Sequence, residues 1–462
     1  MKKSKNIILA LVLLGVLVGT YIYISSKPEE EKLDNNVEKK EEITNISKDS
    51  INKMMLISNE EELIFERREN DWILYSREDL ELDQNIVDTL ASSFAILFAE
   101  RVVEENPEDL EKYGLNTPVV TARAILSDGS EKVYYLGNKT PEGNTYYLMV
   151  KDVPKVYTVW VNHGNNFSLK MNDVRLKALT EIALEEIKYF YLKQEGKPTI
   201  EIIPNEDESG KDYGWGLWLM KQPYRHEYTV DTEDFTRIIQ GVSNLKIKDF
   251  VEENPSDISK YGLDNPKIEI KIQDNKNTLH LYIGSNKDES TVYFKTHDKN
   301  NVYTMDILAL TPFINSLPFE LIDRFAYIVD INLVDAIKVE TREGVYDITF
   351  LRTTKRVEDE EDEIVTTYRV DGEEIEESKF KSYYQKLIGI TLDAEIDKTI
   401  KKEDTEISTI FILNTGETIV INYVPYNKDF YAVLRDNESE FVVTKKKVKD
   451  MLEHLEGLIE GN

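Results

Sequence analysis

The sequence predicts an α+β protein: one N-terminal transmembrane helix, then tandem repeats, each of a mainly antiparallel sheet with one or two packed helices. Three observations carry that expectation. A sixteen-residue stretch, Val103-Glu-Glu-Asn-Pro-Glu-Asp-Leu-Glu-Lys-Tyr-Gly-Leu-Asn-Thr-Pro118, recurs as Val251-Glu-Glu-Asn-Pro-Ser-Asp-Ile-Ser-Lys-Tyr-Gly-Leu-Asp-Asn-Pro266, identical at eleven positions. Short runs of alternating apolar and charged residues, such as Ile268-Glu-Ile-Lys-Ile272, are separated by turn signals. An eighteen-residue run near the start, Ile7 to Ile24, carries no charge.

That run comes first in the chain. As a helix it would be roughly 27 Å long, at about 1.5 Å per residue, enough to cross a bilayer core. Lys2, Lys3 and Lys5 precede it, which leaves the N-terminus cytoplasmic and the bulk of the chain extracytoplasmic. Residues 1–24 therefore read as a cytoplasmic tip and anchor. A cleaved signal peptide is the competing reading, but Thr20-Tyr-Ile-Tyr-Ile24 offers no small-x-small cleavage site. Residues 25–50, with Lys27-Pro-Glu-Glu-Glu-Lys and Val37-Glu-Lys-Lys-Glu-Glu, hold little to bury and read as a disordered charged stalk.

The rest divides into repeat units at 51–183, 184–325 and 326–462, a period too long for a solenoid. Unit one should open with strands at Lys53–Ser58, Glu61–Arg67 and Trp72–Tyr75. In unit two they fall at Ile187–Lys193, Pro198–Ile203 and Trp215–Met220. A helix follows in each. Asp83 precedes Ile86, Leu90, Phe94 and Leu97; Asp231 precedes Phe235, Ile238, Ile239 and Val242. Those spacings put one apolar stripe on each helix. The repeated stretch then reads as a short helix with its own punctuation. Asn106 and Asn254 would cap it, Pro107 and Pro255 would take the first helical position, and Gly114 and Gly262 would supply the left-handed stop. Lys112 and Tyr113 recur as Lys260 and Tyr261, so a binding loop is the alternative. Turns at Ser127-Asp-Gly-Ser130 and Asp274-Asn-Lys-Asn277 lead into a meander ending in Val156-Tyr-Thr-Val159 and Val302-Tyr-Thr-Met305.

Unit three diverges. Strands are expected at Ile337–Thr341, Val345–Leu351, Ile407–Leu413, Thr418–Tyr423, Phe430–Leu434 and Phe441–Thr444. Phe380, Tyr384, Leu387 and Ile388 mark its helix, and Lys445 to Ile459 a closing one. Lys398-Thr-Ile-Lys-Lys-Glu-Asp404 replaces the Asn-Pro and Tyr-Gly-Leu signals, so the short helix should be altered or missing.

The Trp-x-Leu strand, the helix, Tyr-Gly-Leu-x-x-Pro, the strand pair ending in Leu-Gly or Ile-Gly and the Val-Tyr-Thr strand resemble the domain of unknown function 4340 family. The resemblance covers nearly everything after residue 50, strongly in units one and two. It implies a membrane-anchored bacterial protein, often encoded beside the permease and ATPase of an export-type ABC transporter related to gliding-motility components. It implies no catalytic residues.

Composition bounds the chemistry. Fifty-seven basic residues against 87 acidic give a net charge of −30, which argues against nucleic acid and against adhesion of the folded part to anionic lipid. There is no cysteine, hence no disulfide, thiolate metal site or cysteine nucleophile. The five histidines show no metal-ligand spacing, and no phosphate-binding loop or nucleophile elbow is present. No cofactor is expected. The run Glu358-Asp-Glu-Glu-Asp-Glu363 could offer oxygens to Ca²⁺ but lacks the glycine and spacing of a calcium loop, and reads as a solvated hairpin tip. Trp218, Tyr213 and Tyr224 are the candidate ligand or partner surface; packing is the alternative for the tryptophans. The chain is thus expected to be a non-enzymatic accessory or scaffold protein, probed against two alternatives: a binder of envelope polymer or small ligand, using grooves between units, and an envelope hydrolase.

Overall fold

The computed structural model describes residues 40–206, 216–355, 363–398, 400–435 and 438–460. The chain forms two compact units, one up to Leu176 and one from Lys177 onward. The run Ile7–Ile24 lies outside the described residues, among which no helix is long and apolar enough to cross a membrane.

The first unit is built on an eight-stranded antiparallel sheet. In spatial order its strands are Asp71–Leu74, Glu62–Arg68, Ile51–Ser58, Val120–Leu126, Glu131–Lys139, Thr145–Val150, Lys155–Trp160 and Arg101–Glu105. Alternation sets its faces: in Val120–Leu126, residues 120, 122, 124 and 126 are buried and those between are half-exposed. Helix Gln84–Ala95 lies on the buried face, presenting Val87, Leu90, Ala91 and Phe94. Its N-terminus is capped as the sequence predicts, with the Asp83 carboxylate accepting from the amides of Asn85 and Ile86.

The N-terminal edge of this unit corrects the expected stalk over residues 40–50, residues 25–39 lying outside the described residues. Glu42–Asn45 is a strand paired with Ile96–Phe98, and Lys48–Ser50 forms one helical turn. Ile43 and Ile46 pack on the core, and the buried Thr44 hydroxyl meets that of Tyr134 at 2.5 Å. A segment with two isoleucines among charges looks unfoldable until a ready-made apolar surface is offered to it.

The second unit holds two nine-stranded sheets. One runs Tyr228–Thr229, Trp218–Gln222, Ile200–Pro204, Tyr189–Gln194, Ile268–Gln273, Thr278–Asn286, Thr291–Thr296, Val302–Asp306, Asp249–Glu252. The other runs Glu373–Ile375, Glu363–Val370, Val345–Lys355, Val334–Thr341, Ile407–Leu413, Thr418–Pro425, Phe430–Arg435, Glu438–Thr444, Ala394–Glu395. All three sheets share one strand order, apart from a short extra edge strand on the latter two. Helices Thr232–Gln240 and Glu377–Ile388 occupy the place of Gln84–Ala95 in chain order, the former capped by Asp231. Lys445–Glu460 closes the chain, burying Val448, Met451, Leu455 and Leu458. One continuous apolar cluster runs from Ile182 to Leu458, so the two sheets of this unit share a core.

Candidate functional site

The repeated sixteen-residue stretch folds alike in both copies, though not as its punctuation suggests. The helical turn is short, Glu111–Tyr113 and Ser259–Tyr261. Gly114 and Gly262 end it in the left-handed region, φ 67° and 68°. Asn106 and Asn254 do not cap it. They lie upstream in left-handed conformations of their own, φ 54° and 48°, with Pro107 and Pro255 outside the helix. The carboxylates of Asp109 and Asp257 instead accept the amides of Glu111 and Ser259, at 2.9 and 2.8 Å. An Asn-Pro pair and an Asx turn carry similar composition, and the capping reading chose the wrong one.

The recurrent Lys-Tyr pair closes on a carboxylate of the neighbouring edge strand. Tyr113 donates to Glu104 at 2.6 Å and Lys112 lies 2.9 Å from the same oxygen; Tyr261 and Lys260 meet Glu252 at 2.6 and 2.7 Å. Each tyrosine also packs on another, Tyr147 or Tyr293, at 4.9 and 4.8 Å. The bond from Tyr113 and the Lys112 ammonium hold the Glu104 carboxyl below its ordinary value; Lys260 and then Tyr261 do so for Glu252. With hydroxyl, ammonium and carboxylate engaged on one another, this constellation ties the turn to the sheet edge.

The third sheet has lost it. Its edge strand is only Ala394–Glu395, and the turn Lys402–Asp404 ends without a left-handed residue. The altered edge meets the loop after Trp218–Gln222 of the preceding sheet, and there a groove of about 450 Å³ opens. Pro198, Pro223, Tyr224 and Arg225 line one wall; Glu395, Ile396, Asp397, Lys398, Ile400, Glu438, Ser439 and Glu440 line the other. Tyr224 bridges the two walls. Its ring packs edge-on against Tyr228 at 5.3 Å and Phe441 at 4.9 Å, and its hydroxyl donates to Glu395 at 2.6 Å. Burial, and then the Glu395 carboxylate, push the Tyr224 phenol well above its usual range.

Glu440 accepts from the Arg225 amide at 2.7 Å, the His226 amide at 3.4 Å and the Tyr228 hydroxyl at 3.2 Å. Arg225 also reaches Glu438 at 3.5 Å. Donors come from one sheet and acceptors from the next, and the groove is bounded by this clasp. Its size is that of small-ligand pockets.

Of the three aromatic residues the sequence singles out, the structure brings only Tyr224 to the groove. Trp218 packs on Phe235 of helix Thr232–Gln240 at 4.9 Å. Tyr213 lies outside the described residues, as do Trp215 and most of the run Glu358–Glu363. Trp72, expected to correspond to Trp215, is buried beside helix Gln84–Ala95 and donates to Asp88 at 3.0 Å, so its counterpart at a helix is Trp218. Glu395, Glu438, Glu440 and Phe441 have no sequence signal, since each gains its role from a partner well over a hundred residues away. Nor does the sequence signal that His280 and His297, the latter just past the end of strand Thr291–Thr296, stack their rings 4.9 Å apart, with His280 bonded to Glu269 at 2.8 Å. Among the described residues no group of three or more His, Asp or Glu side chains is placed to hold a metal ion.

No curated protein and no solved structure matches the chain. A family model does, twice, over residues 72–251 and 218–406. Each match begins on a tryptophan strand, at Trp72 or Trp218, and runs into the edge strand or turn of the following sheet. The two copies together span more than half of the sequence and bear out the tandem reading, and the chain belongs to the family of the domain of unknown function (DUF4340).

Proposed function

We propose that this protein is a non-enzymatic, membrane-anchored extracytoplasmic accessory or scaffold protein that works beside an ABC-type transporter of the gliding-motility-like export kind. The observation that carries the reading is the joining of two sheet modules by a common core and by the clasp of Tyr224 with Glu395 and Tyr228 with Glu440, a build suited to presenting fixed surfaces. The uncharged run Ile7–Ile24 behind three lysines supports attachment to a membrane by an N-terminal helix. The family resemblance supports permease and ATPase subunits as partners. Affinity purification of the full chain from native membranes tests this: co-recovery of a permease and an ATPase is expected, and their absence would speak against the transporter.

A second reading is favoured by the groove itself. Its Tyr224, Ile396, Ile400 and two prolines, rimmed by carboxylates, suit a small ligand or a stretch of envelope polymer. Soluble envelope-polymer fragments should then raise the melting temperature of the wild type and not of Tyr224→Ala. An equal shift in both proteins would discard this reading.

A further inference from the structure

The first two sheets treat one corner in different ways. Arg123 and Lys271 stand at the same distance past the last proline of the repeated stretch, Pro118 or Pro266. Met55 pairs with the former and Tyr191 with the latter, so the hairpins that leave strands Ile51–Ser58 and Tyr189–Gln194 are counterparts. Phe167 and Phe313 are counterparts too. Both are fully buried, in the short helices Val161–Phe167 and Thr311–Ile314 that follow the Val-Tyr-Thr strands. In the second sheet the hairpin tip carries Lys197, whose amide bonds back to the Gln194 carbonyl. Its ammonium donates to the carbonyl of Ile314, the residue after Phe313. The lysine stem therefore runs from the hairpin tip to the helix end, apolar methylenes along the way and charge at the far end.

In the first sheet the tip reads Ser58-Asn-Glu-Glu61 and holds no lysine. Between it and the end of helix Val161–Phe167 a pocket of about 310 Å³ stands open, at the lower end of small-ligand volumes. Leu56 and Phe167, both buried, line it from below, and Val119, 46% exposed, lines its side. Glu60, Glu61 and Lys170 stand at the mouth. Lys170 meets Glu60 at 2.7 Å, but both ends of that pair are largely exposed, so it is weak and open to a competing cation. Glu61 makes no ion pair among the described residues; its carboxylate accepts only the Met171 amide, at 3.3 Å. Two carboxylates thus face one ammonium above an apolar floor. A methylene stem suits the floor, and a second ammonium suits the unmatched carboxylate.

We propose that this pocket binds a primary alkylammonium group on an unbranched stem of about four carbons, taking from a ligand what Lys197 supplies within the second sheet. It rests on neither the scaffold reading nor the groove at Tyr224. The full chain is titrated with n-butylammonium, n-butanol and ammonium ion, and with the peptide acetyl-Gly-Lys-Gly-amide, while backbone hydrogen exchange is followed. Butylammonium should bind about tenfold tighter than butanol or ammonium ion and slow exchange in residues 58–61 or 167–171. Binding of the peptide as tight as that of butylammonium assigns the group to a lysine of a protein partner; binding of butylammonium alone assigns it to a small amine. Glu61→Lys, which puts a lysine at the tip as in the second sheet, should weaken butylammonium about tenfold without lowering the melting temperature. Glu61→Gln, which keeps an acceptor for the Met171 amide, should weaken it about threefold. In Lys197→Ala the melting temperature should fall, and butylammonium should raise it by more than in the wild type. Equal binding of butanol and butylammonium, undiminished binding by both Glu61 variants, protection confined to other segments, or no such rescue of Lys197→Ala would overturn the proposal.

Discussion

Gly262 shows how far single residues could be read in advance. Its place after Tyr261 marks it as a left-handed stop, and its φ of 68° agrees. What the sequence could not show is that a Cβ there would also strike the Ser285 side chain, or that one on Gly284 would strike the Tyr261 carbonyl. Gly262→Val should therefore destabilise the second unit by about 1–2 kcal/mol or more from backbone strain alone, read as an earlier transition in urea. The Lys-Tyr pairs were visible as repeats, yet their carboxylate partners depend on strand register. Glu104 and Glu252 have depressed carboxyl values in the fold, so their contribution is present above pH 4.5 and lost as pH falls through the depressed value. Glu104→Gln with Glu252→Gln should melt earlier than wild type at pH 7. The gap between the two proteins should narrow as the pH falls below 4.5, and a gap that stays constant on acidification would refute the ion-pair role.

Elements were legible where local chemistry and tertiary packing agree. Asp83 and Asp231 announce their helices because the cap is local, and Phe380, Tyr384 and Leu387 do so by period. The strand Glu42–Asn45 was hidden because its stability comes from Tyr134 and Ile96–Phe98, not from its own composition. The clasp was hidden for the same reason, only Tyr224 standing out by residue type. Phe441 is 2% exposed and contacts Tyr224, Tyr228 and Phe319. Phe441→Ala should cost about 3–5 kcal/mol as a large cavity. Tyr224→Phe, which keeps the ring and loses one bond to Glu395, should cost about 0.5–1.5 kcal/mol. Chemical denaturation of both variants checks the order; a larger loss for Tyr224→Phe would mean that the hydroxyl, not the ring packing, holds the two sheets.

At the scale of the molecule, duplication explains most of what the chain is: one strand order used three times, with the third copy altered where it meets the second. The internal repeat carried that in the sequence, and divergence at Lys398–Asp404 foretold where it would break. The proposed placement outside a membrane rests on the sequence alone, on Ile7–Ile24 and the lysines before it. The lack of any native cysteine makes it directly testable. In Leu308→Cys, at a position 83% exposed, the single thiol should react with a membrane-impermeant maleimide on intact spheroplasts, whereas the thiol of Lys3→Cys should react only after permeabilisation. Labelling of Leu308→Cys only after lysis would contradict an extracytoplasmic scaffold.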